Sequence, residues 1–170
     1  MTLRTIALAG GLAGAAGLSQ FPEFSQQYTQ RLGGAVDELQ RVVTRFDADA
    51  AATGLDRAGA LTDLSTGGAF GAQRAATMRE TVARYERLSA DLAALERAGP
   101  FTRARLAGHL RDPEIAARAW EAYRPAVPAT FEGAVFGGTG FVLGWLAAGA
   151  LLRLLRRMTG LGRKRSERVI

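Results

Sequence analysis

Two titratable residues, His109 and Glu132, stand out by type and position. His109 is the single histidine, and Glu132 lies at the start of a long apolar run. A general base or a metal ligand needs partners in a defined geometry, and the spacing along the chain suggests none for His109. A carboxylate near a helix N-terminus is stabilised by the helix dipole. We therefore interpret His109 as an exposed or helix-capping residue and Glu132 as an interfacial one, and we predict no catalytic residue.

Other patterns have the residue types of a functional site but lack its context. Residues 138–140, Gly-Thr-Gly, partly match a phosphate-binding loop, yet no strand precedes them and the lysine is missing. Asp37-Glu38 and the pair Asp47 and Asp49 lie among arginines on amphipathic segments, which is typical of a solvated helix face. The chain has no cysteine, which excludes disulfides and thiolate metal sites. The sequence thus predicts no metal and no cofactor.

Small residues recur at helical spacing in two apolar segments, one at each end of the chain. Such spacings let helix backbones approach closely in lipid, where packing drives helix association. The contact could form within one chain or between two copies, and the spacing fits both. The predicted helix-packing residues are Gly10, Gly14, Gly133, Gly137, Gly140 and Gly144.

The glycines of the C-terminal segment lie in an apolar run that contains no charged residue, residues 133–152. A run of about 20 residues makes about 30 Å of helix, which matches the hydrocarbon thickness of a bilayer. We therefore predict a transmembrane helix over residues 129–152.

The first apolar segment, residues 5–22, follows Arg4 and allows two interpretations. It resembles a secretory signal peptide with a small-residue cleavage site at residues 13–15. It also has the length of a first transmembrane helix that is retained. We favour the retained helix, over residues 1–21, because the helical pattern continues past Phe21 and a second span exists for it to pack against.

The net charge of +6 resides in the segment after the second span. Residues 153–170 carry seven basic residues and one acidic residue, and the rest of the chain is neutral. A basic flank marks the cytoplasmic side of a span and attracts anionic lipid headgroups. This explanation uses all the excess charge, so we expect no nucleic-acid partner. The predicted headgroup anchors are Arg153, Arg156, Arg157, Arg163, Lys164 and Arg165.

With two spans and a basic flank after the second, we predict that both termini are cytoplasmic and that residues 22–128 form a helical domain on the periplasmic side. Residues 23–53 and 72–98 each carry an apolar stripe at heptad-like spacing, which indicates an antiparallel, coiled-coil-like hairpin. Gly33-Gly34 interrupts the first helix and predicts a kink or a close helix contact.

The hairpin tip and base should contain shorter elements. We predict a short helix over residues 55–64, a turn at residues 65–68, and helices over residues 101–111 and 113–123. Asp112 is suited to cap the last of these. The predicted fold is all-α, with two transmembrane helices near the termini flanking a periplasmic antiparallel helical hairpin with short extra helices.

Several stretches resemble one family of small bacterial membrane proteins that is catalogued only as a domain of unknown function. They are SQFPEFSQQYTQRLGGAVDEL at residues 19–39, RYERL at residues 84–88, and EIAARAWEAYRPAVPATFEG at residues 114–133, which leads into GFVLGW at residues 140–145. The resemblance covers nearly the whole chain. It implies a bacterial inner-membrane location, two terminal spans and no assigned activity.

These observations favour a non-enzymatic scaffold, accessory or assembly protein of the inner membrane that acts through helix–helix contacts. The alternative is a membrane-anchored periplasmic binding module for an envelope partner. An enzyme or ion-handling protein centred on Glu132 and His109 has the least support. The expected partners are membrane lipids and either a second copy of the chain or another membrane protein.

Overall fold

The computed structural model describes residues 3–123 and 130–158, which are helical apart from short connections and contain no strand. This confirms the all-α prediction. The helices are α1 (Leu3–Leu18), α2 (Phe21–Ala52), α3 (Arg57–Thr66), α4 (Gly68–Leu95), α5 (Pro100–Arg105), α6 (Pro113–Glu121) and α7 (Phe131–Met158), with a 3₁₀ turn at Ala107–His109. The described residues form two compact units. One is Phe24–Tyr123, hereafter the helical domain, and the other contains α1 and α7, hereafter the terminal-helix unit.

The core of the helical domain is built where α2, α4 and α6 meet. Apolar residues at helical spacing on α2 face Leu88 and Leu95 of α4, and α6 closes the cluster. The helices α2 and α4 run antiparallel, because Gly33 lies opposite Leu92 whereas Phe46 shares a groove with Met78. The buried residues of this core are Tyr28, Leu32, Val36, Leu88, Leu95, Ile115 and Ala119.

The predicted interruption of α2 at Gly33-Gly34 is wrong. The helix continues unbroken from Phe21 to Ala52. A Cβ on Gly33 would meet only Leu92 Cδ1, at 4.0 Å, and one on Gly34 would meet nothing within 4 Å, so no close contact explains the pair. Each glycine costs a helix about 1 kcal/mol relative to alanine. The apolar side chains that α2 buries on both sides of the pair outweigh that cost.

The hairpin tip is tighter than predicted. The helix α3 extends to Thr66 and α4 begins at Gly68, so the expected turn at residues 65–68 is reduced to Gly67 between two helices. Gly68 has φ of 84°, a left-handed conformation that glycine adopts without strain. A Cβ on Gly71 would overlap the carbonyl oxygen of Leu64, so α4 can pack directly against α3.

At the base of the domain, the Asp112 side chain accepts hydrogen bonds from the Glu114 and Ile115 amides at 3.2 and 3.1 Å. Asp112 is therefore the N-cap of α6, as predicted. The single helix expected over residues 101–111 is instead the short α5 followed by a 3₁₀ turn that contains Gly108, a weak helix former.

In the terminal-helix unit, α1 and α7 pack along their lengths. The expected continuation of the first helix past Phe21 is wrong, because α1 ends at Leu18 and α2 begins after Ser19-Gln20. Pro22 explains the break: it has no amide hydrogen, and its ring would clash with the carbonyl of the preceding helical turn.

Among the described residues, one helix is long and apolar enough to cross a membrane by length and composition, and it is α7 with 28 residues. The helix α1 has 16 residues, which corresponds to about 24 Å. One candidate span is therefore found where the sequence predicted two. The helix α7 continues to Met158, so Arg153, Arg156 and Arg157 lie in it and not in a separate tail. Arg163, Lys164 and Arg165 lie outside the described residues.

Leu88→Ala should lower the free energy of unfolding by about 2–5 kcal/mol, because Leu88 is fully buried and its truncation leaves a cavity in the core. Val42→Ala, at a side chain 41% exposed on α2, should change it by no more than about 0.5 kcal/mol. Chemical denaturation of the full chain in mild detergent, followed by far-UV circular dichroism, measures both. Equal shifts for the two variants would contradict the described core.

Asp47 should contribute a pH-dependent part of the stability. Both of its carboxylate oxygens accept hydrogen bonds from Arg57, at 2.7 and 2.5 Å, and this pairing lowers the pKa of Asp47. The stabilisation should be present above about pH 4, the ordinary range of the carboxyl group, and be lost as the pH falls through the lowered pKa of the folded state.

Asp47→Asn should therefore reduce the free energy of unfolding at neutral pH by about 0.2–1 kcal/mol, as expected for a half-exposed ion pair. The difference from the wild type should vanish on acidification. Asp49→Asn is the matched control, since Asp49 has no ion pair among the described residues. Denaturation curves at several pH values measure this, and an unchanged difference at low pH would refute the pairing.

Candidate functional site

The closest approach between the two terminal helices occurs at four glycines, Gly10 and Gly14 of α1 and Gly140 and Gly144 of α7, hereafter the glycine contact. A Cβ built on Gly14 would overlap the carbonyl oxygen of Gly140, and one built on Gly144 would overlap that of Gly10. A Cβ on Gly10 would lie 2.6 Å from the Ala148 Cβ. Two backbones thus touch directly, and any side chain at these positions would force the helices apart.

The flanks of the glycine contact are filled by one aromatic ring and one small side chain. Phe141 covers Gly11, where an added Cβ would lie 2.8 Å from the ring. At the other end, a Cβ on Gly137 would lie 3.5 Å from the Ser19 Cβ, an ordinary van der Waals distance. The contact therefore combines backbone approach with side-chain dispersion, the form of association that works in lipid.

Among the six predicted packing glycines, the structure brings Gly10, Gly14, Gly140 and Gly144 together within one chain and places Gly137 at the edge of the contact. The sixth, Gly133, is buried at the start of α7, where its amide donates to Thr130 Oγ1 at 3.1 Å.

The remaining surface of α7 carries large apolar side chains that nothing in the described chain covers. Only 6% of the residues in the most apolar part of α7 are buried. The exposed side chains include Val142 (52% exposed), Leu143, Trp145, Leu146, Leu151 and Leu154. Exposing this many large apolar side chains on one helix is unfavourable in water, so the helix requires an apolar environment or an apolar partner.

A polar cluster in the helical domain was not foreseen from sequence. His109 Nδ1 lies 2.6 Å from Asp91 Oδ1, which links the 3₁₀ turn to α4. The Asp112 amide donates to the Tyr28 hydroxyl at 3.0 Å, and burial raises the pKa of Tyr28. The partners are separated by 18 and 84 residues, so no local spacing could have revealed them. Sequence spacing suggested no partner for His109; the structure places Asp91 beside this half-exposed side chain.

An ion-pair chain extends this cluster along α6. Arg84 Nη2 lies 3.3 Å from Asp112 Oδ1 and 2.8 Å from Glu114 Oε2, and Arg118 bonds the other Glu114 oxygen at 2.6 Å. These bonds hold α6 and the 3₁₀ turn onto the hairpin. Within residues 3–123 and 130–158, no group of three or more histidine, cysteine or acidic residues is arranged to hold a metal. Glu132 lies at the first turn of α7, half-exposed.

If the glycine contact is as described, two cysteines introduced at its edge should form a disulfide. Ser19→Cys combined with Gly137→Cys should cross-link on mild oxidation, because the Cβ separation of 3.5 Å is within the range that a disulfide needs. The chain has no native cysteine to compete. Ser19→Cys with Gly138→Cys is the matched control, since a Cβ on Gly138 would have no neighbour, Ser19 included, within 4 Å. Non-reducing electrophoresis with a thiol-reactive mass tag measures the fraction cross-linked.

In the cross-linking background, Gly14→Leu should greatly reduce disulfide formation, because the leucine separates the helices. Gly17→Leu should leave it unchanged, since Gly17 faces open space. Equal effects of the two leucines, or equal cross-linking of the Gly137 and Gly138 pairs, would contradict the described contact.

Comparisons with known proteins give a family and no function. No curated protein and no solved structure matches the chain significantly. A family profile described as "Protein of unknown function (DUF2937)" matches residues 3–160, which is nearly the whole chain and includes both units. The chain therefore belongs to the DUF2937 family of proteins of unknown function.

Proposed function

We propose that the chain is a non-enzymatic scaffold, accessory or assembly protein of the bacterial inner membrane that acts through helix–helix contacts. The observation that carries this proposal is the surface of α7. Part of it packs on α1 through the glycine contact, while the rest exposes large apolar residues. A helix of this length and composition with so few of its residues buried fits a bilayer and the transmembrane helices of a partner.

In this proposal, α1 is the second membrane element. Its 16 residues are fewer than the roughly 20 that a span usually needs. A shorter span is accommodated by local thinning of the bilayer and by long cationic side chains that reach the interface. Arg4 at the start of α1 is positioned for this role, and the contact with α7 provides α1 with a partner inside the membrane.

The proposed orientation follows from the charges at the ends of these helices. Arg4 on α1 and Arg153, Arg156 and Arg157 on α7 belong to the same end of an antiparallel pair, because Gly10 lies opposite Ala148 and Gly14 opposite Gly140. Positive charge favours the cytoplasmic side. Both termini would then be cytoplasmic, and the helical domain would lie in the periplasm.

A surface for a partner helix remains on α7 after α1 is bound. Gly138 has nothing within 4 Å of an added Cβ. Val142, four positions later and 52% exposed, lies beside it on the same helix face. A small residue beside a larger apolar one provides the shape that a second membrane helix can pack against.

The experiment is purification of the tagged full chain from membranes in mild detergent, with mass spectrometry of the intact chain and of the proteins that accompany it. We expect the chain to resist alkaline extraction, to keep its first segment, and to carry a stoichiometric membrane partner or a second copy. Gly138→Leu should release the partner without affecting the Ser19–Gly137 cross-link. A chain found in the soluble fraction would refute the proposal.

A matched variant and a mass measurement separate the remaining alternatives. Gly17→Leu adds the same side chain on open surface of α1 and should retain the partner. A chain that begins near Ala15 would show that the first segment is a cleaved signal peptide. An intact chain that purifies alone as a monomer would contradict stable assembly.

The second candidate function is a periplasmic binding module for an envelope partner. A groove of about 520 Å³ runs along the helical domain with charges of both signs at its rim, Arg31, Glu38 and Arg118 among them, and Leu39 and Ile115 in its wall. A mixed rim around apolar walls is suited to a polypeptide ligand. In that case residues 24–123 alone should capture the partner, and Arg31→Glu should abolish the capture.

A further inference from the structure

A pocket of about 280 Å³ opens between α1 and α7 at the arginine-bearing end of the terminal-helix unit. It combines two cationic side chains with an apolar wall. The residues that line it are Arg4 and Ala7 of α1 and Trp145, Leu146, Gly149, Leu152 and Arg153 of α7.

The charge of this pocket is uncompensated within the described part of the chain. No acidic residue lines it. Neither Arg4 nor Arg153 has an ion-pair partner among residues 3–123 and 130–158, although six other ion pairs are present there. The acid of α7, Glu132, is 21 positions before Arg153, which corresponds to about 32 Å along the helix. The described residues therefore supply no anion to the pocket.

The lining of the pocket changes along the helix axis, from cationic at one end to apolar and aromatic at the other. Arg153 is eight positions after Trp145, so the cationic end and the aromatic wall are about 12 Å apart. Leu146 and Leu152 line the wall between them. The wall is accessible because Gly149 carries no side chain and a Cβ built on it would meet no neighbouring atom within 4 Å. A ligand that fits would place an anionic group between the arginines and an apolar chain along Trp145.

We propose that this pocket binds one anionic phospholipid, with its phosphate between Arg4 and Arg153 and an acyl chain against Trp145 and Leu146. The inference deepens the proposed function and rests on its membrane location. Two guanidinium groups match the oxygen geometry of a phosphate, and basic pockets between membrane helices are suited to anionic headgroups. A soluble phosphate would use the two arginines but leave the apolar wall uncovered.

A specific pocket differs from the general attraction of a basic helix end for anionic lipid. Arg156 and Arg157 are also exposed near the end of α7, but neither lines the pocket. They contribute to the surface potential, which salt screens within about 8–10 Å. Contacts in a partly enclosed pocket are screened much less. The two pairs of arginines therefore provide a matched comparison at high ionic strength.

The test uses the full chain in phosphatidylcholine vesicles at roughly 0.5 M salt, where the screening length is shorter than 8 Å. The chain has two tryptophans, so Trp120→Phe leaves Trp145 as the single reporter. Its fluorescence is titrated with phosphatidylglycerol or phosphatidylcholine that carries bromine on the acyl chain about 12 Å from the headgroup. Bromine quenches only the indole that it touches.

We expect brominated phosphatidylglycerol to quench Trp145 at a mole fraction about 25-fold lower than brominated phosphatidylcholine, since each arginine–phosphate ion pair contributes about fivefold. Arg4→Gln should reduce the preference about fivefold, and Arg4→Gln with Arg153→Gln should abolish it. Arg156→Gln with Arg157→Gln removes the same charge outside the pocket and should keep the preference. Inorganic phosphate added to phosphatidylcholine vesicles should not change the Trp145 emission.

Three results would overturn the proposal. They are equal quenching by the two lipids in the wild type, equal loss of preference in the two double variants, and a saturable response to inorganic phosphate, which would assign the arginines to a soluble anion. Vesicle flotation and the Ser19–Gly137 cross-link report membrane insertion and helix packing for each variant. A chain that does not float would refute the proposed function, whereas a floating, cross-linked chain without lipid preference would refute the lipid site alone.

Discussion

The terminal-helix unit depends on the direct contact of two helix backbones. At Gly14 and Gly140 no side chain fits between α1 and α7, so their carbonyl oxygens lie where a Cβ would be. This close approach increases dispersion contact along both helices without requiring large apolar side chains at the interface. Those side chains are instead directed outward on α7, where Leu143 and Leu151 are each 57% exposed. The glycine contact thus explains both the association of α1 with α7 and the apolar surface that they present.

The helical domain is held together differently, by the burial of large apolar side chains in a shared core. Its helices bury Tyr28, Leu32 and Leu88 in a shared core and expose arginines and acids. The short base elements add Ile115 and Ala119 to that core, and polar bonds also fix their position. The Tyr28 hydroxyl accepts from the Asp112 amide, and His109 pairs with Asp91. Buried apolar surface stabilises the hairpin, while directional bonds position its base.

Much of this architecture could be predicted because its determinants are local. The stripe from Leu32 to Ala50 defines α2 by its period, and Asp112-Pro113 specifies the start of α6. The errors also have local causes. The break before Phe21 follows from Pro22, and the weakening effect expected of Gly33-Gly34 was outweighed by core packing that propensity does not include.

The sequence alone determined the helical class, the apolarity of α7, the segregation of the charge and the small-residue spacings, because each depends on residues near one another in the chain. Only the tertiary structure decided which glycines face one another and brought Arg4 beside Arg153, residues separated by nearly the whole chain. It also paired His109 with Asp91. Such partnerships depend on the relative rotation and register of packed helices, and those are set by the summed fit of many side chains that no single spacing encodes.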